Sequence, residues 1–359
     1  MFIVAVHGGA GFHDKTSEKS IKRALKSACE RSLKVLEIGG TAVKAAEEAI
    51  CVLEDDGDLN AGFGSNLTHD GTVECDASIM NGSNNAFGSA GAVSGVKNPI
   101  SLANKIMENV SLPQALGRIP PMMLVGRGAI EFAINSQLSL VSPASQISPN
   151  AQAEWEIWKS RLEDSGQDKS ARDVHFFDRQ DTVGAVTHDS TGVMAAGVSS
   201  GGLLLKHPGR IGEAAVFGAG CWANSPPSET SGMACSVSGT GEHVITSSLS
   251  RTLADVLENS KTGDTHGVLE DILANKFHRA VQLSGSHEAN AGILLLSKEA
   301  RDAGTSSCRL WCAFTSRSMA IAYASSIDRK PAKILRRDKP GSGDSPTLYI
   351  TALPLSRDK

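Results

Sequence analysis

The chain is 359 residues long, 40% hydrophobic and 21% charged, with a formal net charge of −4. That balance supports a sizeable core and excludes the basic surface that nucleic acid or an anionic membrane would select. No apolar run approaches the roughly 20 residues that cross a bilayer, and residues 1–7 lack the basic start of a signal peptide, so they read as a first strand.

Phe2 to Val6 is an apolar run flowing into the glycine turn His7-Gly8-Gly9-Ala10-Gly11, as a buried strand would. Residues 16–38 carry Ile21, Leu25, Cys29 and Leu33 at four-residue spacing, a helix that Gly39 and Gly40 stop. Thr41 caps a second helix, Ala42 to Leu53. Residues 60–95 alternate glycine, asparagine and short apolar stretches, which predicts hairpins near a site. Pro99 to Glu108 predicts a helix with proline in its first turn. Residues 137–180 are turn-rich and polar, with a short helix at Glu154 to Leu162. They predict a mostly irregular, flexible segment. Val183 to Thr187 and Val193 to Val198 read as strands joined by a tight turn at Gly192. Helices at about 241–259 and 266–284 precede three apolar strands, Gly292 to Ser297, Arg309 to Thr315 and Met319 to Ala324. The basic stretch 330–339 reads as a solvated loop before a last strand. This order predicts an α/β chain of two stacked sheets covered by helices on both sides.

The seven cysteines, at 29, 51, 75, 221, 235, 308 and 312, are odd in number and scattered. Cys308 and Cys312 have no second pair or nearby histidine to complete a zinc pattern. Reduced thiols in a cytoplasmic protein, with the nucleus as a second compartment, are the expectation. The ten histidines form no metal pattern either; His7 and His207 read as structural, and Glu74 and Asp76 as buried hydrogen-bonding support.

The chemistry concentrates at Asp181-Thr182-Val183-Gly184, followed by Ser199-Ser200-Gly201-Gly202 and Lys206-His207-Pro208-Gly209-Arg210. If the Asp181–Thr182 bond is cut, Thr182 carries both a nucleophilic hydroxyl and a free α-amine to act as its base. An α-amine titrates at about 7.7–8.0, so a useful fraction is neutral at physiological pH. Before the cut, the Thr182 hydroxyl must attack the preceding carbonyl in an N→O acyl shift, giving an ester that water hydrolyses. Gly184 would leave room for a substrate backbone. Arg210 offers a planar fork that grips a carboxylate in a bidentate way.

These motifs resemble the N-terminal-nucleophile hydrolases of the plant-type asparaginase family, and within it the threonine-aspartase branch. The resemblance also rests on Asn60-Ala61-Gly62-Phe63-Gly64-Ser65-Asn66, Glu74-Cys75-Asp76-Ala77-Ser78-Ile79-Met80, Arg118-Ile119-Pro120-Pro121, Gly220-Cys221-Trp222 and Ser238-Gly239-Thr240-Gly241-Glu242. It implies a four-layer αββα sandwich. It also implies one hydrolase domain over 1–359, self-processed into 1–181 and 182–359, with 137–181 as the flexible segment before the cut. The products would be α and β subunits of one precursor, assembled as a dimer of such pairs.

By the same resemblance, Thr182 is the nucleophile and Ser200 a second hydroxyl beside it. Arg210 binds a substrate carboxylate, and Ser238 and Gly239 position substrate and polarise the scissile carbonyl. Asn66 is a second donor there, and Lys15 or Lys19 would add a positive charge. Glu213 stands where asparaginases hold the substrate α-amino group with aspartate and where threonine aspartase carries an uncharged amide. Asp181 before the nucleophile matches threonine aspartase, where an asparaginase has glycine. The expected activity is therefore a threonine endopeptidase cutting protein substrates after aspartate. The alternative is an isoaspartyl peptidase or L-asparaginase acting on small substrates. A binding or scaffold protein that keeps the fold without turnover is a third expectation. Neither cofactor nor metal is expected.

Overall fold

The structure is a computed structural model that describes residues 1–13, 15–164, 181–226, 231–260, 264–285, 290–300, 306–329, 333–336, 348–353 and 355. The first half runs β1 (Ile3–Gly11), α1 (Glu18–Glu37), α2 (Ala42–Glu54), β2 (Cys75–Asn81), β3 (Ala86–Val93), α3 (Pro99–Val110), β4 (Met123–Val125), α4 (Gly126–Asn135) and α5 (Pro149–Asp164). The second half adds β5 (Val183–His188), β6 (Met194–Ser200), β7 (Cys221–Asn224), β8 (Gly232–Gly239), β9 (Ala291–Ala300), β10 (Ser306–Phe314), β11 (Ser318–Ser325), β12 (Lys333–Arg336) and β13 (Tyr349–Leu353). Among the described residues one sheet has the order β12-β11-β1-β5-β6-β2-β3-β4, and the second β13-β10-β9-β8-β7.

Strand periodicity explains the layers. Ile3 and Ala5 of β1 pack with the second sheet's Val237 and Ile293, whereas Val4 and Val6 pack with Leu25 of α1 and Ile50 of α2. Both faces of β1 are covered, which is why its sequence is apolar without alternation. Each fully buried Leu or Ile contributes about 1.5–3 kcal/mol. Helix residues Leu249 and Leu253 cover the outer face of the second sheet. The result is a four-layer αββα sandwich.

Most local signals hold. Ile21, Leu25, Cys29 and Leu33 are the buried stripe of α1, and the Thr41 hydroxyl accepts from Lys44 N at 3.2 Å to cap α2. All seven cysteines are free thiols. Three expectations need correction. First, α5 is a 16-residue helix running Pro149–Asp164. The stretch before it is docked, since Gln146 accepts from Gly95 N and donates to Val96 O, both at 2.6 Å. Residues 165–180 lie outside the described residues. Second, the helix expected at 241–259 breaks at Ser248, whose φ of 45° is left-handed. Third, Lys333–Arg336 pairs with β11 as an edge strand instead of forming a loop.

Candidate active site

Thr182 is buried at the head of β5, between β1 and β6 in the middle of the larger sheet. Strand alternation sorts the two serines of β6. Ser199 turns toward the helix layer and donates to Glu54 Oε1 at 2.7 Å, while Ser200 turns to Thr182. Gly184 has a different purpose from the one the sequence suggested. A Cβ there would strike Ser236 Oγ and His7 Nε2, which are hydrogen-bonded to each other at 2.8 Å, so its room is filled by protein and not left for substrate.

Thr182 Oγ1 lies 2.7 Å from Glu213 Oε1 and 3.1 Å from Ser200 Oγ. One hydroxyl carries one proton, and the shorter contact to a carboxylate takes it. The Ser200 hydroxyl proton can then serve the Thr182 oxygen, and Gly202 N fixes Ser200 by donating to its Oγ at 3.0 Å. Burial pushes the Glu213 carboxyl above the ordinary glutamate value, against the Arg210 charge and the Thr182 hydrogen bond. Burial also holds His7, beside the Thr182 backbone, down at about 4, so that ring is neutral at physiological pH.

The carbonyl of Asp181, the one a cut would release, accepts from Asn60 Nδ2 at 2.7 Å. The same amide nitrogen donates to Gly202 O at 2.9 Å, and Asn60 Oδ1 accepts from Asn66 N at 2.8 Å. Asn60 is thereby locked in orientation with one N–H on the scissile carbonyl, as an oxyanion donor must be. The Asp181 side chain rests against Gly9, where a Cβ would come within 2.5 Å of it, and its Oδ2 lies 3.6 Å from His13 Nε2. Asn60→Ala should therefore slow cleavage of the Asp181–Thr182 bond by about 10²–10³-fold without unfolding the chain. A time course of band conversion on a denaturing gel checks this, and an unchanged rate would count against Asn60 as the donor.

Arg210 is held by Glu242, which accepts from Nε at 2.9 Å and from Nη2 at 2.7 Å. Burial alone would raise the Glu242 carboxyl, but the Arg210 hydrogen bonds and charge outweigh it and hold it below the ordinary value. Nη1 is buried and has no hydrogen-bond partner among the described residues. Arg210 and Glu213 converge at Gly241, where a Cβ would stand 2.6 Å from Arg210 Nη2 and 2.7 Å from Glu213 Oε2.

The structure thus brings Thr182, Ser200, Glu213, Arg210 and the Asp181 carbonyl together. Four other expected residues are placed as follows. Asn66 Nδ2 donates to Gly202 O at 2.9 Å and its backbone N braces Asn60. Ser238 Oγ accepts from Ala10 N at 2.9 Å, so it fixes the end of β1 that carries Gly9. Gly239 is needed for packing, since a Cβ there would run into Asn290 O. Lys15, like Lys19, is exposed, and no described contact joins it to the site. Sequence reasoning missed Asn60, although it opens the same glycine-rich loop, and Glu242, which ends the Ser238 motif. Among the described residues no group of His, Cys, Asp or Glu is arranged to hold a metal.

A layered αββα sandwich with a hydroxyl residue heading a central strand defines the N-terminal-nucleophile hydrolase class. The Asparaginase_2 family model, described as Asparaginase, matches residues 1–286, and the chain belongs to that family. A rat protein named Isoaspartyl peptidase/L-asparaginase is 33% identical over 268 residues, covering 74% of this chain and 74% of its own length. The Isoaspartyl peptidase of Salmonella typhimurium is 34% identical over 261 residues, 71% of this chain and 79% of its own length. The Plant-type L-asparaginase of Pyrococcus furiosus is 36% identical over 267 residues, with coverages of 71% and 79%. These relatives bear the names of the small-substrate alternative, not of the expected endopeptidase.

Proposed function

We propose that this protein is a self-processing threonine hydrolase of aspartyl amide bonds whose substrates are β-aspartyl dipeptides and L-asparagine. The observation that carries this reading is a pair of opposite charges beside Thr182. Arg210 Nη1, buried and without a partner among the described residues, would take a carboxylate, and Glu213, hydrogen-bonded to Thr182, would take an α-ammonium. A substrate presenting both groups is an α-amino acid, and the names of the relatives support that choice.

In the precursor, Thr182 Oγ1 attacks the Asp181 carbonyl carbon while Glu213 accepts the hydroxyl proton and Asn60 stabilises the oxyanion. The C–N bond breaks, the nitrogen takes the proton, and the acyl group sits on Oγ1 as an ester. Water hydrolyses that ester, freeing the Asp181 carboxylate and the Thr182 α-amine. In later turnovers the α-amine is the base, and Glu213 is released to hold the substrate ammonium. Because burial raises the Glu213 pKa, its ionised, proton-accepting form is reached at a higher pH than for an ordinary glutamate. Self-cleavage of freshly translated precursor should therefore accelerate as the pH rises from acid toward neutral. A flat profile, or a Glu213→Gln precursor that cleaves at the wild-type rate, would remove Glu213 from this role.

Cleavage of longer chains after aspartate is a second reading, favoured by two observations. The bond the site faces in its own precursor is an α-peptide bond after Asp181. A cavity of about 670 Å³ reaches Asp181 and Asn60 and is walled by Ile157 and Trp158 of α5, more room than asparagine needs. Side-by-side incubation with β-Asp-Leu, L-asparagine and an internal Asp-Gly peptide decides between them. Turnover of the first two, lost when the α-amine of β-Asp-Leu is acetylated, supports the small-substrate reading. Turnover of the internal peptide alone supports the second, and none of the three overturns both.

A further inference from the structure

We infer that Lys206 is the second cation of the carboxylate subsite, its ammonium and Nη1 of Arg210 together receiving the acidic group of the substrate. The inference rests on the proposed aspartyl specificity and names the residue that completes it. Lys206 is 4% exposed. Its Nζ donates to Glu74 O at 2.5 Å, and among the described residues no carboxylate lies within ion-pair distance of it. An ammonium carries three donors, so two N–H groups of a buried charge are left without a described acceptor. Burying a charge in this way is costly unless a counter-ion and hydrogen bonds meet it.

The geometry of Gly202 joins that ammonium to Arg210. A Cβ on Gly202 would stand 3.1 Å from Lys206 Nζ and 3.1 Å from Arg210 Nη1, and the residue's φ of +69° itself favours glycine. Two donors therefore flank one small space that a side chain would fill. The acidic neighbours are already engaged. Asp76 accepts from Ala92 N at 2.8 Å and Gly212 N at 2.7 Å, one on each oxygen, and Glu242 takes the Nε–Nη2 edge of Arg210. That leaves the Nη1 side for an incoming carboxylate. The space is also coupled to the nucleophile, because Gly202 N donates to Ser200 Oγ and Gly202 O accepts from Asn60. Burial lowers the Lys206 pKa despite the opposing Asp76 charge, and a bound anion would add to that opposition.

Two measurements test this. A crystal structure of the processed wild-type protein soaked with succinate should show one carboxylate within hydrogen-bond distance of both Lys206 Nζ and Arg210 Nη1. A carboxylate on Arg210 alone, or an empty space at saturating succinate, overturns the inference. The Lys206→Met protein should still cut itself before Thr182, which shows that the fold and nucleophile are intact. Its KM for aspartyl substrates should rise about 10- to 100-fold with a smaller change in kcat, the scale of one lost charged hydrogen bond. An unchanged KM, or KM and self-cleavage failing together while the soaked wild type shows no contact, assigns Lys206 to the scaffold. Failure of the wild type to hydrolyse any aspartyl substrate would sink the proposed function and leave the succinate result to decide the subsite.

Discussion

Replacing Thr182 with alanine should yield a single intact chain with no detectable turnover. The substitution removes the hydroxyl that meets Glu213 and Ser200, and with it both the acyl shift and the later release of the α-amine. The side chain is 2% exposed and small, so the stability cost is that of about one or two hydrogen bonds, roughly 1–3 kcal/mol. A folded, uncut, inactive protein is the expected result, read by denaturing gel, thermal melt and hydrolysis assay. Thr182→Ser should restore cleavage and partial activity, since a hydroxyl and a future α-amine are both kept. An alanine protein that still divides at this bond would remove Thr182 from the chemistry.

Arg210→Ala should be the most damaging change that leaves processing in place. The guanidinium is largely buried and fixed on one edge by Glu242. Removing a desolvated cation that meets a carboxylate typically costs about 2–5 kcal/mol. The loss should fall on kcat/KM for aspartyl substrates, and Arg210→Lys should recover only part of it because the planar fork is gone. Equal kcat/KM for the lysine protein and wild type would count against a carboxylate grip.

The fold was legible wherever one local rule dominated. The four-residue stripe from Ile21 to Leu33, the Thr41 cap and the Val183 and Val193 strands each follow from side-chain periodicity or capping chemistry. Helix α5 was read only as Glu154 to Leu162, short of its start at Pro149, because its only buried residue is Ala151 and an anchoring contact, Trp155 Nε1 to Thr68 O at 2.8 Å, is tertiary. The break at Ser248 has no glycine or proline to announce it. Within the site, Thr182, Ser200 and Arg210 could be read from motif and chemistry. Sequence could not say which asparagine of the 60–66 loop faces the scissile carbonyl. That depends on how the loop folds through Gly62, whose φ is +54° and where a Cβ would strike the Glu54 backbone. Sequence offered Lys15 or Lys19 as an extra cation, and the fold leaves both exposed, whereas the turn at Gly202 brings Lys206 Nζ and Arg210 Nη1 to one place.

The central claim is that Thr182 becomes the N-terminus and acts as the nucleophile. The most direct test is N-terminal sequencing of the smaller fragment from active wild-type protein, combined with its mass after reaction with an aspartyl acylating analogue. The expected result is a fragment beginning Thr-Val-Gly-Ala, with one acyl adduct on that threonine. A fragment beginning elsewhere, or an adduct on another residue with Thr182 unmodified, would contradict it.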